Sequence, residues 1–162
     1  MSIEKVKAYL REFGLADRVR EFSVSSATVE LAAQALGCEP GRIAKSLSFL
    51  TDAGPILIIA EGDARVDNKK FKAQFHQKAK MIPWDEVETY IGHAPGGVCP
   101  FAVNDGVAVY LDESLKHYDV VYPAAGNASS AVKLTIAELE RCAQAAGWVD
   151  VCREKTENLA SE

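Results

Sequence analysis

A lysine at the start of an apolar segment is the first residue of this chain whose position suggests chemistry. Lys45 stands in "GRIAKSLSFL", residues 41–50, where the residues from Ile43 to Leu50 are typical of a buried strand. Because burying an unpaired ammonium is costly, a lysine here has two interpretations. Either its stem packs while its charged end stays in water, or it supplies a fixed positive charge to a phosphate or ester oxygen.

Two glycine-containing loops are the other candidates for chemistry. They are "PGGVCP", residues 95–100, and "AAGNASS", residues 124–130. Glycine allows a positive φ and a close approach of the main chain to a ligand. Consecutive N–H groups bind anions, or donate to a carbonyl oxygen that is becoming an oxyanion. Together with Lys45, these loops predict a pocket for a phosphate or an ester.

Nucleophilic side chains are weaker candidates. Cys99 has His93 and Asp105 near it in the sequence, but a thiolate nucleophile needs a base beside it in space, so packing is the better interpretation of Cys99. No G-x-S-x-G motif surrounds Ser25-Ser26 or Ser129-Ser130. We expect these serines to cap turns, and their hydroxyls remain candidates for lining a polar pocket.

The composition favours a soluble, folded, cytoplasmic protein. The chain has 162 residues, of which 48% are hydrophobic, and no apolar run approaches the length of a membrane span. The four cysteines contain no CxxC motif and are interpreted as reduced packing residues. We expect one domain over residues 1–153 and a polar tail over residues 154–162.

The net charge of −5 argues against nonspecific coating of nucleic acid, but it leaves room for a local basic surface. The segment "NKKFKAQFHQKAK", residues 68–80, is rich in lysine. It is interpreted either as a solvated helix face or as a surface for phosphates. Its lysines are Lys69, Lys70, Lys72, Lys78 and Lys80.

A helix-turn-helix is an alternative interpretation of "VELAAQALGCEPGRIAKSL", residues 29–47. Ala33, Gly37 and Ile43 occupy the small, turn and apolar positions of such a motif, which would place residues 41–48 on a recognition helix. Pro40-Gly41 is a poor start for that helix, and the acidic, strand-rich chain is unlike a DNA-binding module. We therefore expect no DNA binding.

Helical periodicity and capping residues predict the helices that position these groups. Five helices are expected. They are a helix carrying Ile3 to Phe13, a helix capped by Thr28, a helix capped by Asp67, a helix over residues 84–91 after Pro83, and a last helix from Thr135 to Gly147, with a shorter helix around Leu115.

Runs of β-branched and aromatic residues predict the strands. They cover residues 18–24, 44–51, 55–61, 79–82, 107–112, 119–124 and 131–135. Since strands and helices do not alternate strictly, the sequence predicts an α+β domain with a mixed β-sheet.

Three segments in this order resemble one known family. They are "TVELAAQALGCEPGRIAKSLSF", "GGVCP" and "YPAAGNASSAVKLTIAEL". They are similar to the YbaK/EbsC family, including its ProX group, whose members are free-standing relatives of the editing insertion domain of bacterial prolyl-tRNA synthetase. The resemblance covers roughly residues 20–146. It implies an α+β fold with a mixed, curled β-sheet and surrounding helices, which is compatible with the predicted elements. It also implies hydrolysis of the ester between a wrong amino acid and a tRNA, often tRNA(Pro) carrying alanine or cysteine, without a metal or an organic cofactor.

The resemblance also implies roles for particular residues. The family's invariant lysine matches Lys45, its GxxxP loop matches residues 96–100, its late glycine matches Gly126, and its helix-opening threonine matches Thr28. We expect Lys45, Gly96 and Gly97 to be catalytic, and a second group of residues to bind the substrate. That group is Ser25, Thr28, Val98, Cys99, Pro100, Gly126, Asn127, Ala128 and Ser129.

The hypothesis from the sequence is an aminoacyl-tRNA deacylase that acts in trans on tRNA, with tRNA(Pro) as the expected substrate and prolyl-tRNA synthetase as a candidate partner. Lys69, Lys70 and Lys72 are expected to contact the tRNA. An aminoacyl ester is already activated, so positioning and oxyanion stabilisation suffice for its hydrolysis. The rival hypotheses are a non-catalytic tRNA- or synthetase-binding module and, less favoured, the helix-turn-helix regulator.

Overall fold

The computed structural model describes residues 2–153, which form five α-helices and ten strands. The helices are α1 (Ser2–Arg11), α2 (Val29–Leu36), α3 (Asn68–Phe75), α4 (Val87–Ile91) and α5 (Ile136–Ala143). The strands are β1 (Val19–Glu21), β2 (Ala44–Thr51), β3 (Gly54–Glu61), β4 (Arg65–Val66), β5 (Ala108–Asp112), β6 (Val120–Val121), β7 (Ser130–Val132), β8 (Leu134–Thr135), β9 (Gly147–Val149) and β10 (Cys152–Arg153). The predicted tail, residues 154–162, lies outside the described residues.

The central sheet has four strands in the order β2-β3-β5-β9. β2 and β3 form an antiparallel hairpin in which Ala44 lies opposite Glu61, whereas β3–β5 and β5–β9 are parallel pairs. Three smaller antiparallel pairs, β1–β7, β4–β10 and β6–β8, surround this sheet. The predicted class, a mixed sheet with helices around it, is confirmed.

The two faces of the sheet pack against different helices because side chains alternate along each strand. On one face, Leu57 and Ile59 pack with Leu10 of α1 and Leu139 of α5. On the other face, Phe49 and Ile58 pack with Phe71 of α3. The aromatic rings of Phe49 and Phe71 lie 4.9 Å apart, centre to centre.

The predicted helix starts are confirmed by their caps. The Thr28 hydroxyl accepts from the Leu31 N–H at 3.2 Å at the start of α2, and an Asp67 carboxylate oxygen accepts from the Lys69 and Lys70 N–H groups at the start of α3. Thr135 and Glu138 form a reciprocal capping box at the start of α5. Such caps satisfy N–H groups that a helix end leaves without partners, which is why they can be read from the sequence.

The helix-turn-helix alternative is wrong. Residues 44–51 form strand β2, and a short 3₁₀ helix, Pro40–Arg42, precedes it where a recognition helix would begin. The first helix of the motif does exist, as α2, and Gly37 ends it with φ of 70°. The pattern of small, turn and apolar residues therefore describes a helix followed by a strand.

Several other boundaries differ from the sequence predictions. The last helix stops at Ala143, because Gln144 adopts a left-handed conformation with φ of 49°, and Gly147 begins β9 instead of ending the helix. Residues 79–82 make only an isolated bridge between Met81 and Phe49. β4, β9 and β10 were not predicted, since strands of two or three residues carry too short a pattern to detect.

Candidate active site

A cleft of about 240 Å³ lies along the first half of β2. Its walls come from five parts of the chain that are distant in sequence: the entry to α2, the start of β2, Val87 of α4, the loop before Val98, and the segment from Tyr122 to β7. The lining residues are Ser26, Ala27, Thr28, Val29, Ala32, Ile43, Ala44, Lys45, Ser46, Ser48, Val87, Pro95, Gly96, Val98, Tyr122, Ala124, Ser130 and Ala131. Most of these side chains are small, so the cleft suits a small group.

The two glycine loops meet at this cleft. Gly97 is buried against the second loop so closely that a Cβ atom on it would lie 2.5 Å from the Asn127 Cα atom and 2.7 Å from the Gly126 carbonyl carbon. Gly96 has φ of 91°, and a Cβ atom there would contact the Cβ atoms of Ala27 at 3.4 Å and Ala128 at 3.5 Å. Glycine is required at Gly96 by its conformation and at Gly97 by this packing.

A network of main-chain and hydroxyl hydrogen bonds joins the second loop to the entry of α2. The Ser26 N–H donates to the Ala128 carbonyl at 2.6 Å, and the Ser26 hydroxyl accepts from the Ser130 N–H at 3.0 Å. The Ser130 hydroxyl accepts from the Ala125 N–H at 3.2 Å. Ser26 and Ser130 are both buried, so these bonds fix the shape of two cleft walls.

The remaining residues of the second loop support its shape and do not line the cleft. The Asn127 side-chain oxygen accepts from the Ser129 N–H at 3.0 Å, and the Ser129 carbonyl accepts from the Phe22 N–H at 2.8 Å. Gly126, with φ of 103°, packs against the main chain of Ser2. Ser25 is exposed, and its hydroxyl accepts from the Ala27 N–H at 3.2 Å.

Lys45 lines one end of the cleft, and its ammonium is neither in open water nor against the glycine loops. It donates to the Gly62 carbonyl at 3.2 Å and to the Ala64 carbonyl. Gly62 itself packs against Val29, another wall residue, so the ammonium lies near the start of α2. By the alternation along β2, the Lys45 side chain leaves the strand on the side of Leu47, where Ala64 and Cys152 are packed. An ammonium has three N–H donors, so two carbonyls leave it capacity for a ligand. Burial lowers the pKa of Lys45 from its usual 10.5.

The structure does not place the Cys99 and Pro100 side chains at the cleft, although both were predicted to bind substrate. Cys99 is 0% exposed, and burial raises the pKa of its thiol to about 12. Its sulfur lies 3.6 Å from the His93 Nε2 atom, which in turn bonds the Phe101 carbonyl at 2.7 Å. A buried, protonated thiol is not a nucleophile, so the packing interpretation of Cys99 is supported.

The predicted tRNA-binding lysines separate into two groups. Lys69 and Lys72 line a groove of about 370 Å³ together with Lys78. Lys70 instead donates to Asp150 at 3.2 Å and to the Cys152 carbonyl at 3.0 Å, which ties α3 to the start of β10. Lys70 is therefore a structural contact first, and the groove is formed by the other lysines.

Ser46 and Ser48 are residues of the cleft that the sequence reasoning missed. Both lie on β2 and line the cleft, on the same face as Ala44, while Leu47 and Phe49 face the α3 side. The signal was present in "AKSLSF": two polar residues, spaced by two, within an otherwise apolar strand. Such a spacing marks one face of a strand as polar.

Two negative findings concern the described residues only. Among residues 2–153, no group of three or more His, Cys, Asp or Glu side chains is arranged to hold a metal ion. No helix in this same range is both long enough and apolar enough to cross a membrane.

Comparison with known proteins shows the class to which this fold and its small, hydroxyl-lined cleft belong, the aminoacyl-tRNA deacylases. The family model described as "aminoacyl-tRNA editing domain" matches residues 24–142. The chain belongs to this family, as its resemblance to the YbaK/EbsC proteins predicted.

Individual relatives extend the match over nearly the whole chain. The protein YwhH of Bacillus subtilis is 44% identical over 155 residues, which are 95% of this chain and 99% of that protein. EbsC of Enterococcus faecalis, whose name describes it as a candidate Cys-tRNA(Pro)/Cys-tRNA(Cys) deacylase, is 28% identical over 82% of this chain and 79% of its own length. A crystal structure of a candidate trans-editing enzyme for prolyl-tRNA synthetase is 32% identical, with a TM-score of 0.84 over 94% of this chain and 97% of that chain.

Proposed function

We propose that this protein hydrolyses, in trans, the ester of a tRNA mischarged with a small amino acid, and that tRNA(Pro) is its substrate. The observation that carries the proposal is the cleft of about 240 Å³, whose lining residues are mostly alanine, serine and glycine. Its narrow, fixed walls suit a small aminoacyl group at the end of a large substrate. A cytoplasmic location, where tRNAs are charged, and prolyl-tRNA synthetase as a partner are parts of the same proposal.

Size selection follows from the walls. Ala27, Ala44, Ala124 and Ala131 line the cleft, and even a Cβ atom on Gly96 would already lie within 3.5 Å of two methyl groups. A larger amino acid must displace a wall that the Ser26–Ser130 hydrogen bonds hold in place. Steric exclusion of this kind is effective against large side chains and weak against smaller ones.

The chemistry requires no protein nucleophile. Water attacks the ester carbonyl carbon, assisted by the 2′-hydroxyl of the terminal ribose; the bond to the ribose 3′-oxygen breaks, and that oxygen takes a proton. The products are the free amino acid and the uncharged tRNA. The main-chain N–H groups of Gly96 and Val98 stabilise the oxyanion, because the Gly97 N–H already donates to the Ala94 carbonyl at 3.1 Å. The Lys45 ammonium, already oriented by two carbonyls, holds a phosphate or ester oxygen near the start of α2.

The groove of Lys69, Lys72 and Lys78 provides a surface for the tRNA backbone. α3 carries this groove on the face of the sheet opposite to the α1 and α5 side. Contacts there are to phosphates, so they contribute affinity without selecting sequence and weaken with salt.

Exposed apolar side chains close in sequence to the cleft walls suit the unpaired 3′ end of a tRNA. Trp84 is 76% exposed and lies three residues before Val87, which lines the cleft. Val24 and Leu31 are exposed and lie a few residues before and after the lining residues 27–29. Single-stranded bases stack on exposed aromatic rings, so Trp84 receives a base of the 3′ end in this proposal.

The test is a deacylation panel with the purified protein. The substrates are tRNA(Pro) carrying alanine, serine, cysteine or proline, and a second tRNA carrying the same amino acids. We expect hydrolysis of small non-cognate esters and no hydrolysis of prolyl-tRNA(Pro). Tight binding of charged tRNA without turnover on any member of the panel would favour the non-catalytic binding module instead.

A further inference from the structure

Ser46 carries a polar group without a partner at the floor of the cleft. Its Oγ atom is fully shielded from solvent, and within residues 2–153 it has no hydrogen-bond partner. Leaving a buried hydroxyl unpaired costs free energy, and few such groups occur in folded proteins. A ligand that binds in the cleft and supplies the missing hydrogen-bond partner would explain why the Ser46 hydroxyl is unpaired.

The main chain of Ser46 is also open on the cleft side. β2 is an edge strand of the four-stranded sheet, and the main-chain groups of its even-numbered residues point away from β3. Two of these residues, on either side of Ser46, have partners there. The Ala44 N–H donates to the Tyr122 carbonyl, and the Ser48 carbonyl accepts from the Ile82 N–H. By the alternation of an antiparallel pair, the N–H and C=O groups of Ser46 face the same edge. Among the described residues, no strand pairs with that edge at Ser46.

Ser46 therefore offers three hydrogen-bonding groups in one place: a main-chain donor, a main-chain acceptor and a hydroxyl. Ser48, which is 7% exposed, adds a second hydroxyl to the same face of β2. This region is polar, although its neighbours Ala44, Ala124 and Ala131 are apolar and small. The methyl group of a substrate alanine would fit this region by size, but it would leave the hydroxyls of Ser46 and Ser48 without a hydrogen-bond partner from the substrate.

We propose that Ser46 is the specificity-determining residue of the cleft and that it selects an amino acid with a hydroxyl group on its β-carbon, serine, over alanine. This inference rests on the proposed function. The Ser46 carbonyl accepts from the substrate's α-ammonium, while the Ser46 hydroxyl bonds the serine side chain. The aminoacyl group is the terminal part of a charged tRNA, so it is the part that reaches a shielded group on the cleft floor.

The expected selectivity follows from the unpaired hydroxyl. A site built to hydrogen-bond a substrate hydroxyl rejects the analogue that lacks it, because the polar groups of the site then remain buried and unpaired. For this one shielded hydroxyl we expect a kcat/KM for seryl-tRNA(Pro) roughly tenfold or more above that for alanyl-tRNA(Pro). Ser46→Ala should reduce this ratio to about one, mainly by lowering the rate on the seryl ester.

A structural role for Ser46 predicts a different pattern, and Ser114 supplies the matched control. The buried Ser114 hydroxyl accepts from the Glu61 N–H at 3.2 Å. Ser114→Ala should therefore lower the melting temperature by roughly 2–8 °C and keep the serine-to-alanine ratio. Ser46→Ala removes a hydroxyl that has no protein partner among the described residues, so its melting temperature should be unchanged or higher.

The experiment measures kcat/KM of the wild type, Ser46→Ala and Ser114→Ala on tRNA(Pro) carrying serine or alanine, together with their melting temperatures. Loss of the serine preference in Ser46→Ala alone supports the proposal. A wild type that hydrolyses both esters without preferring serine, or a preference that Ser46→Ala keeps, overturns it and leaves the proposed function standing. A wild type that hydrolyses neither ester, nor any other in the panel, overturns the proposed function itself.

Discussion

Gly97 lies against Asn127 so closely that a Cβ atom on Gly97 would be 2.5 Å from the Asn127 Cα atom. The contact joins two loops that are 30 residues apart in sequence, and each loop supplies lining residues to the cleft, Gly96 and Val98 from one and Ala124 and Ser130 from the other. Main-chain atoms stand on both sides of the contact, so neither partner can move aside by changing a rotamer. The shape of the cleft therefore depends on the absence of a single side chain.

Gly97→Ala should separate the two loops. We expect a loss of about 1–3 kcal/mol in the free energy of unfolding, because an added methyl group strains a packed contact, and a larger loss of deacylation, because the cleft wall moves. Thermal unfolding and the deacylation rate measure the two effects. Gly147→Ala is the control, since a Cβ atom at Gly147 meets no atom within 4 Å; an equal loss in both variants would argue against the contact.

Lys45→Met should lower the deacylation rate roughly 10²-fold, since it removes the positive charge near the start of α2. Methionine keeps much of the packed stem, but the Gly62 and Ala64 carbonyls lose their donor. We therefore also expect a loss of about 1–2 kcal/mol in the free energy of unfolding, measured by denaturant titration. Wild-type hydrolysis of every susceptible tRNA by this variant would remove Lys45 from the mechanism.

His93 should make the protein less stable in acid. Burial lowers the pKa of His93 below its usual 6.5, and its Nδ1 atom has no partner among the described residues. As the pH falls below about 6.5, the unfolded state takes up the proton before the folded state does. The free energy of unfolding should therefore decrease as the pH falls from about 6.5 through the lowered pKa of the folded state.

The acid effect is measured by denaturant titrations at about pH 7.5 and about pH 5. His93→Gln should flatten the difference between the two pH values, whereas the exposed His76, changed to Asn, should keep it. Equal pH dependence in wild type and His93→Gln would show that other groups cause the loss. The neighbours of the ring are the Phe101 carbonyl, which opposes the lowering of the pKa, the Cys99 thiol, and the charges of Lys5 and Glu88.

Lys69→Glu with Lys72→Glu should raise the KM for charged tRNA and leave kcat and the melting temperature nearly unchanged. Both side chains are exposed and line the basic groove, so the change alters phosphate binding and no buried packing. The slope of log KM against log salt should become shallower by about 1 for each phosphate that the variant no longer neutralises. Lys116→Glu with Lys133→Glu changes the net charge equally away from the groove; the same KM shift in both pairs would indicate a general charge effect.

Trp84→Ala should weaken the binding of charged tRNA roughly 5- to 100-fold, the range expected for losing one stacked base. Trp84→Phe should recover much of the binding, because a phenyl ring still offers a stacking face. Fluorescence or filter binding with charged tRNA measures the effect. Identical affinity of Trp84→Ala and the wild type for charged tRNA would show that no base contacts Trp84.

Local patterns predicted the elements of this fold well, while the assembly of the site required long-range information. The helix starts could be predicted from Thr28, Asp67 and Thr135, because capping depends only on the cap residue and the next three residues. The hydrogen bond between Ser26 and Ser130 joins residues 104 positions apart, and no local rule reports it. The direction of the Lys45 ammonium likewise depends on carbonyls 17 and 19 residues away.

The burial of the thiols has a practical consequence for labelling. All four cysteines are free, and Cys99, Cys142 and Cys152 are buried, with burial raising the pKa of each to about 12. Cys38 is only partly buried and follows Gly37 at the end of α2, the helix whose other end forms a wall of the cleft. A thiol-reactive fluorophore should attach at Cys38 without mutagenesis, one helix length from the cleft, and its emission would report when a charged tRNA docks.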